Sequence, residues 1–353
     1  MPRSGEQLSL ALRNNKCKCG DHADLLPYIC IEDGENVTSH CSGTGNKVID
    51  CRHPDLRECI NEIDGLDLNE VNAVKVVTPE ELPNFIPVIC NRLFKLPSEL
   101  MPYEIVGVSL ADFLGVSVRR INGSLVVSKP KIRSELLRLP IFENKKVILF
   151  STGQDVVIER LWGEIKELNY FEILRKVGFT AVTAINYSLF LNECPIGHSI
   201  NMKRSLKTFN WTQRAGKIGI PHIYWLNDCH LDRWLNWLDI NPLVRLVTIN
   251  CRLFKKVDFP LVIKGFKRLT EETDGKLHLL VEGASMKLLE CLRSFSANIH
   301  VAIKYPTVYA ANYIRLDYMN NHLVRNMVKT STPKDLISRN LKSYQTYLEQ
   351  KFY

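Results

Sequence analysis

The sequence predicts an α/β protein: a (β/α) TIM-like barrel preceded by a Cys/His-rich module and followed by a carboxyl-terminal helix. Three observations predict it. Short apolar runs recur between Lys146 and Pro306, each followed by an amphipathic stretch. A small or polar residue sits where each run ends. The runs lie about 20 to 35 residues apart, the length of one strand-plus-helix unit, and several units in series build a barrel or a doubly wound sheet. In either fold, ligands bind just past the strand ends.

The chain has 353 residues, enough for a barrel of about 250 residues and an additional module. Its hydrophobic fraction, 45%, and charged fraction, 24%, are ordinary for a soluble globular protein. No apolar stretch approaches the roughly 18 residues that span a bilayer. The apolar core of the first residues, Leu8 to Leu12, is too short for a secretory signal, so a cytoplasmic protein without a membrane partner is expected. The net charge is +8. Part of it clusters after strand ends, in Lys203, Arg204, Lys207, Arg214 and Lys217 and again in Arg252, Lys255, Lys256, Lys264, Lys267 and Arg268. Such clusters make nucleic acid, DNA or tRNA, the expected partner; small phosphorylated substrates fit them too.

Residues 1–62 hold six of the eleven cysteines. In a cytosolic chain that density points to metal before disulfides, and zinc takes four such ligands in a tetrahedron. Cys17, Cys19 and His22 form a close set that Cys30 or Cys41 can complete; Cys41, Cys51, His53 and Cys59 can form a second. No Cys-x-x-Cys is present, so free thiols in a loop-rich module are the alternative. Residues 63–103 read as a lead-in that docks on the main domain, because repeated prolines forbid a regular helix. The barrel is expected over 104–318. Its strands are Ile105–Leu110, Val147–Phe150, Ala181–Ile185, His222–Trp225, Leu246–Ile249, Leu277–Val281 and Ile299–Ile303. That makes seven; the eighth is Leu125–Val127 or lies in the tail. The Asn122-Gly123 pair signals a hairpin turn. In the tail, 319–353, Thr332 caps a helix with Pro333 at its first position and Asp335 near its positive end. Leu336, Ile337, Leu341, Tyr344, Leu348 and Phe352 form its apolar stripe.

The strand ends carry the candidate chemistry. After Phe150, Gly153 permits close backbone approach, and Asp155 is either a working carboxylate or a helix cap. Asn186 follows the next run. After the third, Tyr224 and Trp225 can stack on a base, while Asp228 serves as nucleophile or general base, or caps the following helix. Asn250 can read a base edge, with Arg252 beside it. Glu282 is followed by Gly283, and Lys304 is a phosphate contact. Asp228 with Glu282, or Asp228 with Asp155, would supply the paired carboxylates of glycosyl transfer.

Three stretches carry a resemblance: Met202–Lys207 continuing through Gln213–Trp225, then Arg233–Leu238, then Val247–Arg252, with Leu82–Ile89 upstream. Together they resemble barrel proteins of phage and bacterial genomes distantly related to tRNA-guanine transglycosylases, including the group that inserts deazaguanines into DNA. The resemblance spans about residues 80 to 315. It implies base exchange in DNA or tRNA, with one carboxylate as covalent nucleophile and another as base, and a Cys/His zinc site. Two other readings stay open: a non-catalytic nucleic-acid-binding subunit of a phage or defence assembly with other protein subunits, and a barrel enzyme on a small phosphorylated metabolite.

Overall fold

A computed structural model describes residues 56–79, 82–95, 101–116, 118–121, 124–128, 132, 144–189, 195–252, 254–328 and 331–353. Helix α1 (Leu56–Glu62) leads into a strap, residues 63–77, that runs over the barrel helices. The barrel begins at β1 (Phe85–Ile89), followed by β2 (Ile105–Ser109) and the short helix α2 (Leu110–Leu114), which Gly115 ends at φ +60°. A hairpin of β3 (Val118–Ile121) and β4 (Ser124–Val127) interrupts the sequence before β5 (Lys146–Phe150). Its register sets Ile121 opposite Ser124, the two-residue connection that Asn122-Gly123 predicts.

The remaining units alternate regularly. Helices α3 (Asp155–Glu164) and α4 (Tyr170–Lys176) precede β6 (Phe179–Thr183), and α5 (Pro195–Arg214) precedes β7 (Ile218–Ile220). Then come α6 (Asp228–Ile240), β8 (Leu246–Asn250), α7 (Phe259–Glu271), β9 (His278–Glu282), α8 (Met286–Cys291), β10 (Ile299–Ile303) and α9 (Tyr305–Ala311). A hairpin, β11 (Ile314–Met319) with β12 (His322–Met327), and the capped helix α10 (Pro333–Lys351) complete the fold.

Eight strands form one parallel sheet in the order β7-β6-β5-β2-β1-β10-β9-β8. Its two ends meet at a single parallel bridge, His222 to Thr248, where Ile223 N donates to Thr248 O and Thr248 N to Pro221 O. The chain is therefore an α/β TIM-like barrel with a carboxyl-terminal helix, as the periodicity predicts. Two strands differ from the expectation. The eighth strand is β1, inside the segment read as lead-in, so the barrel starts near residue 85 and not at 104. Leu125–Val127 belongs to the side hairpin. The run read as His222–Trp225 is shifted: β7 ends at Ile220 and its pairing stops at His222.

Side-chain direction inside the barrel follows from register. A Cβ on Gly219 would meet Phe209 and Gln213 of α5, so Gly219 faces outward, and Ile220 and His222 face inward. A Cβ on Gly107 would lie 2.5 Å from Phe150 Cε2 and 3.0 Å from Val88 Cγ2. The Phe150 ring thus fills the barrel interior over a bare backbone. Along α10 the predicted stripe is buried, and Thr332 and Asp335 exchange capping hydrogen bonds. Asn340, fully buried, accepts from Leu316 N and donates to Ile314 O, tying the helix to the hairpin.

Candidate functional site at the carboxyl end of the barrel

Glu282, the last residue of β9, is 1% exposed. Thr152, just past β5 on the far side of the barrel, donates to both carboxylate oxygens at 2.9 and 2.7 Å. Arg252, just past β8, adds an ion pair through Nη2. One carboxylate therefore links three strand ends. Gly283 makes this possible. It sits at φ +70°, and a Cβ there would lie 2.3 Å from Arg252 Cγ, so the arginine stem runs over its bare backbone.

A second charged group occupies the neighbouring strands. Lys304, past β10, donates to Asp112 Oδ2 at 2.6 Å and to Ser109 Oγ at 3.0 Å. Ser109 donates to the same Asp112 oxygen at 2.7 Å. Ala302 is level with Glu282 across the β9–β10 ladder, which sets Lys304 one inward position above it. Ser109 is level with Phe150, two residues before Thr152. The two groups thus share one rim. Cys90, past β1, is buried beside them with its thiol directed to Thr307 O at 3.7 Å, and burial raises its pKa.

Among the expected site residues, Glu282, Gly283, Arg252 and Lys304 meet at this rim. Asn250 is adjacent, but its side-chain oxygen accepts from Arg252 N at 3.1 Å and shapes that turn. Asp228 does not join Glu282. It is exposed on the first turn of α6 and pairs with Lys264 of α7 at 2.6 Å and with Arg268 at 3.6 Å. The side chain that caps α6 is that of Asn227, accepting from His230 N. Trp225 faces away from the mouth. Its indole lies on α7 where Gly265 leaves room, a Cβ there falling 2.2 Å from Trp225 Cζ2, and Nε1 donates to Leu261 O. Tyr224 packs on Trp234, whose Nε1 donates to Tyr224 O. Asn186 continues the β6 edge, its N–H donating to Ser151 O. Asp155 is the first residue of α3 and accepts from Ser188 Oγ; burial raises its pKa, that hydrogen bond opposing the rise.

Three cations of α5 face the protein's own groups, while Arg214 is exposed. Lys203, 1% exposed, donates to Asp67 O and Glu70; Lys207 pairs with Asp64 of the strap. Arg204 is buried against Glu159, its guanidinium 4.5 Å from the Trp162 ring centre and 4.2 Å from that of Tyr187. These cations hold the strap and the helix layer together, a use of positive charge that a one-dimensional cluster count cannot distinguish from solvent exposure.

Cys17, Cys19, His22, Cys30, Cys41, Cys51 and His53 lie outside the described residues. Cys59 is on α1, buried in an apolar cluster with Ile63, Leu66, Ile196 and Ile200. Among the described residues no group of three or more His, Cys, Asp or Glu side chains is arranged to hold a metal ion, and no helix is long and apolar enough to cross a membrane.

Sequence reasoning did not single out Thr152, Ser109 or Asp112 for the site. Thr152 and Ser109 sit at strand ends, the signal that could have found them; Asp112, inside a short helix, carries none. No family model and no curated protein matches the chain.

Proposed function

We propose that the chain is an enzyme of the transglycosylase type that breaks a glycosidic bond in the barrel mouth. Glu282 is the attacking carboxylate, and the Asp112–Lys304 pair handles the proton. The observation that carries this reading is the fixing of Glu282 by Thr152 and Arg252 across the mouth, with a second carboxylate on the same rim. Glycosyl transfer needs two such groups. In the forward step the anomeric carbon loses its bond to the leaving base and gains one to a Glu282 oxygen. The departing base takes a proton from the Asp112–Lys304 pair, and an incoming base or water reverses these events. Arg252 and Thr152 keep Glu282 oriented for in-line attack.

Of the eleven cations that suggested a polynucleotide, seven pair with the protein's own carboxylates among the described residues: Lys203, Arg204, Lys207, Arg252, Lys264, Lys267 and Arg268. This favours a nucleoside-sized substrate over a long polymer. The test is release of free base from a nucleoside panel, run beside exchange of labelled guanine into tRNA. Glu282→Gln should lower turnover about 100-fold or more, and Asp228→Asn should leave it unchanged. Full activity in Glu282→Gln, or its loss in a folded Asp228→Asn, overturns the assignment.

A further inference from the structure

Below the Glu282–Arg252 pair, the barrel interior contains two polar side chains that the carboxylate chemistry does not use. His222 is fully buried; no side chain among the described residues hydrogen-bonds either ring nitrogen, and the Ala184 backbone is the polar group that acts on the ring as a hydrogen-bond partner. Thr248 is also fully buried, and its hydroxyl has no hydrogen-bond partner among the described residues. The two are level across the bridge that closes the barrel. Both point inward: Gly219 fixes the face of His222, and Thr248 shares a face with Asn250, which is level with Glu282. The charge of Arg252 is near enough to bear on the imidazole.

Most buried polar side-chain atoms in folded proteins are paired, because each unpaired one forfeits its hydration. Two such side chains, level with each other under a reactive carboxylate, mark a place where a ligand's own polar atoms complete the set. The chemistry of that ligand can be read from the groups. Burial drives the His222 pKa down to about 3, so the ring is neutral at physiological pH and offers one donor and one acceptor. Thr248 offers the same. The nearby charge of Arg252 is already paired with Glu282, so a phosphate would find no free cation here, whereas a sugar hydroxyl donates and accepts at once.

We infer that His222 and Thr248 form an uncharged floor that binds the hydroxyl groups of the substrate's sugar, holding its anomeric carbon against Glu282. The inference rests on the glycosyl-transfer reading of the mouth and names the part of the substrate recognised there. Arg252, whose side chain is 32% exposed, is the member of the cluster that solvent reaches.

The test is direct binding, read without turnover. Protein labelled with ¹⁵N-histidine is titrated with neutral monosaccharides, D-ribose, D-glucose and D-galactose, and separately with inorganic phosphate. At least one sugar should move the His222 ring nitrogens, and phosphate should not. Thr248→Val keeps shape and removes the hydroxyl; it should weaken sugar binding about fivefold, the worth of one hydrogen bond, with an unchanged or raised melting temperature. His222→Leu should abolish binding in a folded protein. If no sugar moves His222, if phosphate alone does, or if Thr248→Val lowers the melting temperature while leaving binding intact, the floor is structural and the inference falls. Sugar binding that shifts His222, alongside full turnover in Glu282→Gln, upholds the floor and removes only the carboxylate mechanism.

Discussion

Replacing Gly283 with alanine tests how the rim is built. The residue sits at φ +70°, where a side chain costs about 1–2 kcal/mol. The new Cβ would also fall 2.3 Å from Arg252 Cγ, so the arginine stem must move and its guanidinium must leave Glu282. Stripping one partner from a fully buried pair costs about 3–5 kcal/mol. Arg252 is a third exposed, so only a fraction of that applies, about 1–2 kcal/mol. The sum is a loss of about 2–4 kcal/mol, measurable as a lowered urea midpoint at unchanged slope. In a Glu282→Gln background the pair no longer exists, and Gly283→Ala should cost only the backbone part, about 1–2 kcal/mol. Equal costs in both backgrounds would show that Gly283 serves the turn alone and that Arg252 does not depend on it. A cost below about 0.5 kcal/mol in the wild type would refute the geometry altogether.

Gly107→Ala should destabilise by about 1–3 kcal/mol through overpacking against Phe150, and Phe150→Leu should relieve most of that penalty; an additive double-mutant cycle would contradict it. His300 lies at the amino-terminal end of β10, with its Nε2 3.1 Å from His278 Nδ1 and its Nδ1 3.1 Å from Pro83 O. Burial lowers its pKa to about 4 from 6.5, so the unfolded chain takes up a proton before the native one does. Stability is complete above pH 6.5 and is lost as pH falls towards 4. His300→Gln should flatten the fall in urea midpoint between pH 7 and 5, and an identical fall would remove His300 as its source. Zinc measured on the purified full chain should be near stoichiometric and should drop in Cys17→Ser with Cys19→Ser; a metal-free, folded wild type ends the expectation of zinc.

The period of apolar runs disclosed the barrel because each inward or outward strand face must be apolar between helix layers, whatever the site does. The two strands that sequence reasoning missed or shifted share a cause. Pro87 lies inside β1 and Pro221 directly follows β7, and proline is normally a reason to end a strand. In this barrel Pro87 still holds its register opposite Ile303, and the Pro221 carbonyl still accepts from Thr248. The rim was partly legible. Glu282, Arg252 and Lys304 stand at strand ends, where position alone flags them. Asp228 and Trp225 stand at the end of a strand as well, but one turn of chain past β7 carries them onto α6 and α7. Which side of the helix layer such a residue reaches depends on where pairing stops. Likewise, the cations of α5 are buried by a strap some 130 residues earlier in the chain, a contact no local pattern encodes.

The closure of the barrel is uneven. Seven of its strand boundaries are ladders, while β7 and β8 meet at one bridge. Compliance in a closed cylinder collects at its least-stitched edge, so breathing should be greatest between Pro221 and Thr248. The amides of Ile223 and Thr248 should then exchange with solvent ahead of those in the other ladders. That edge also carries His222, so the least-stitched boundary of the barrel is one with a buried imidazole in it.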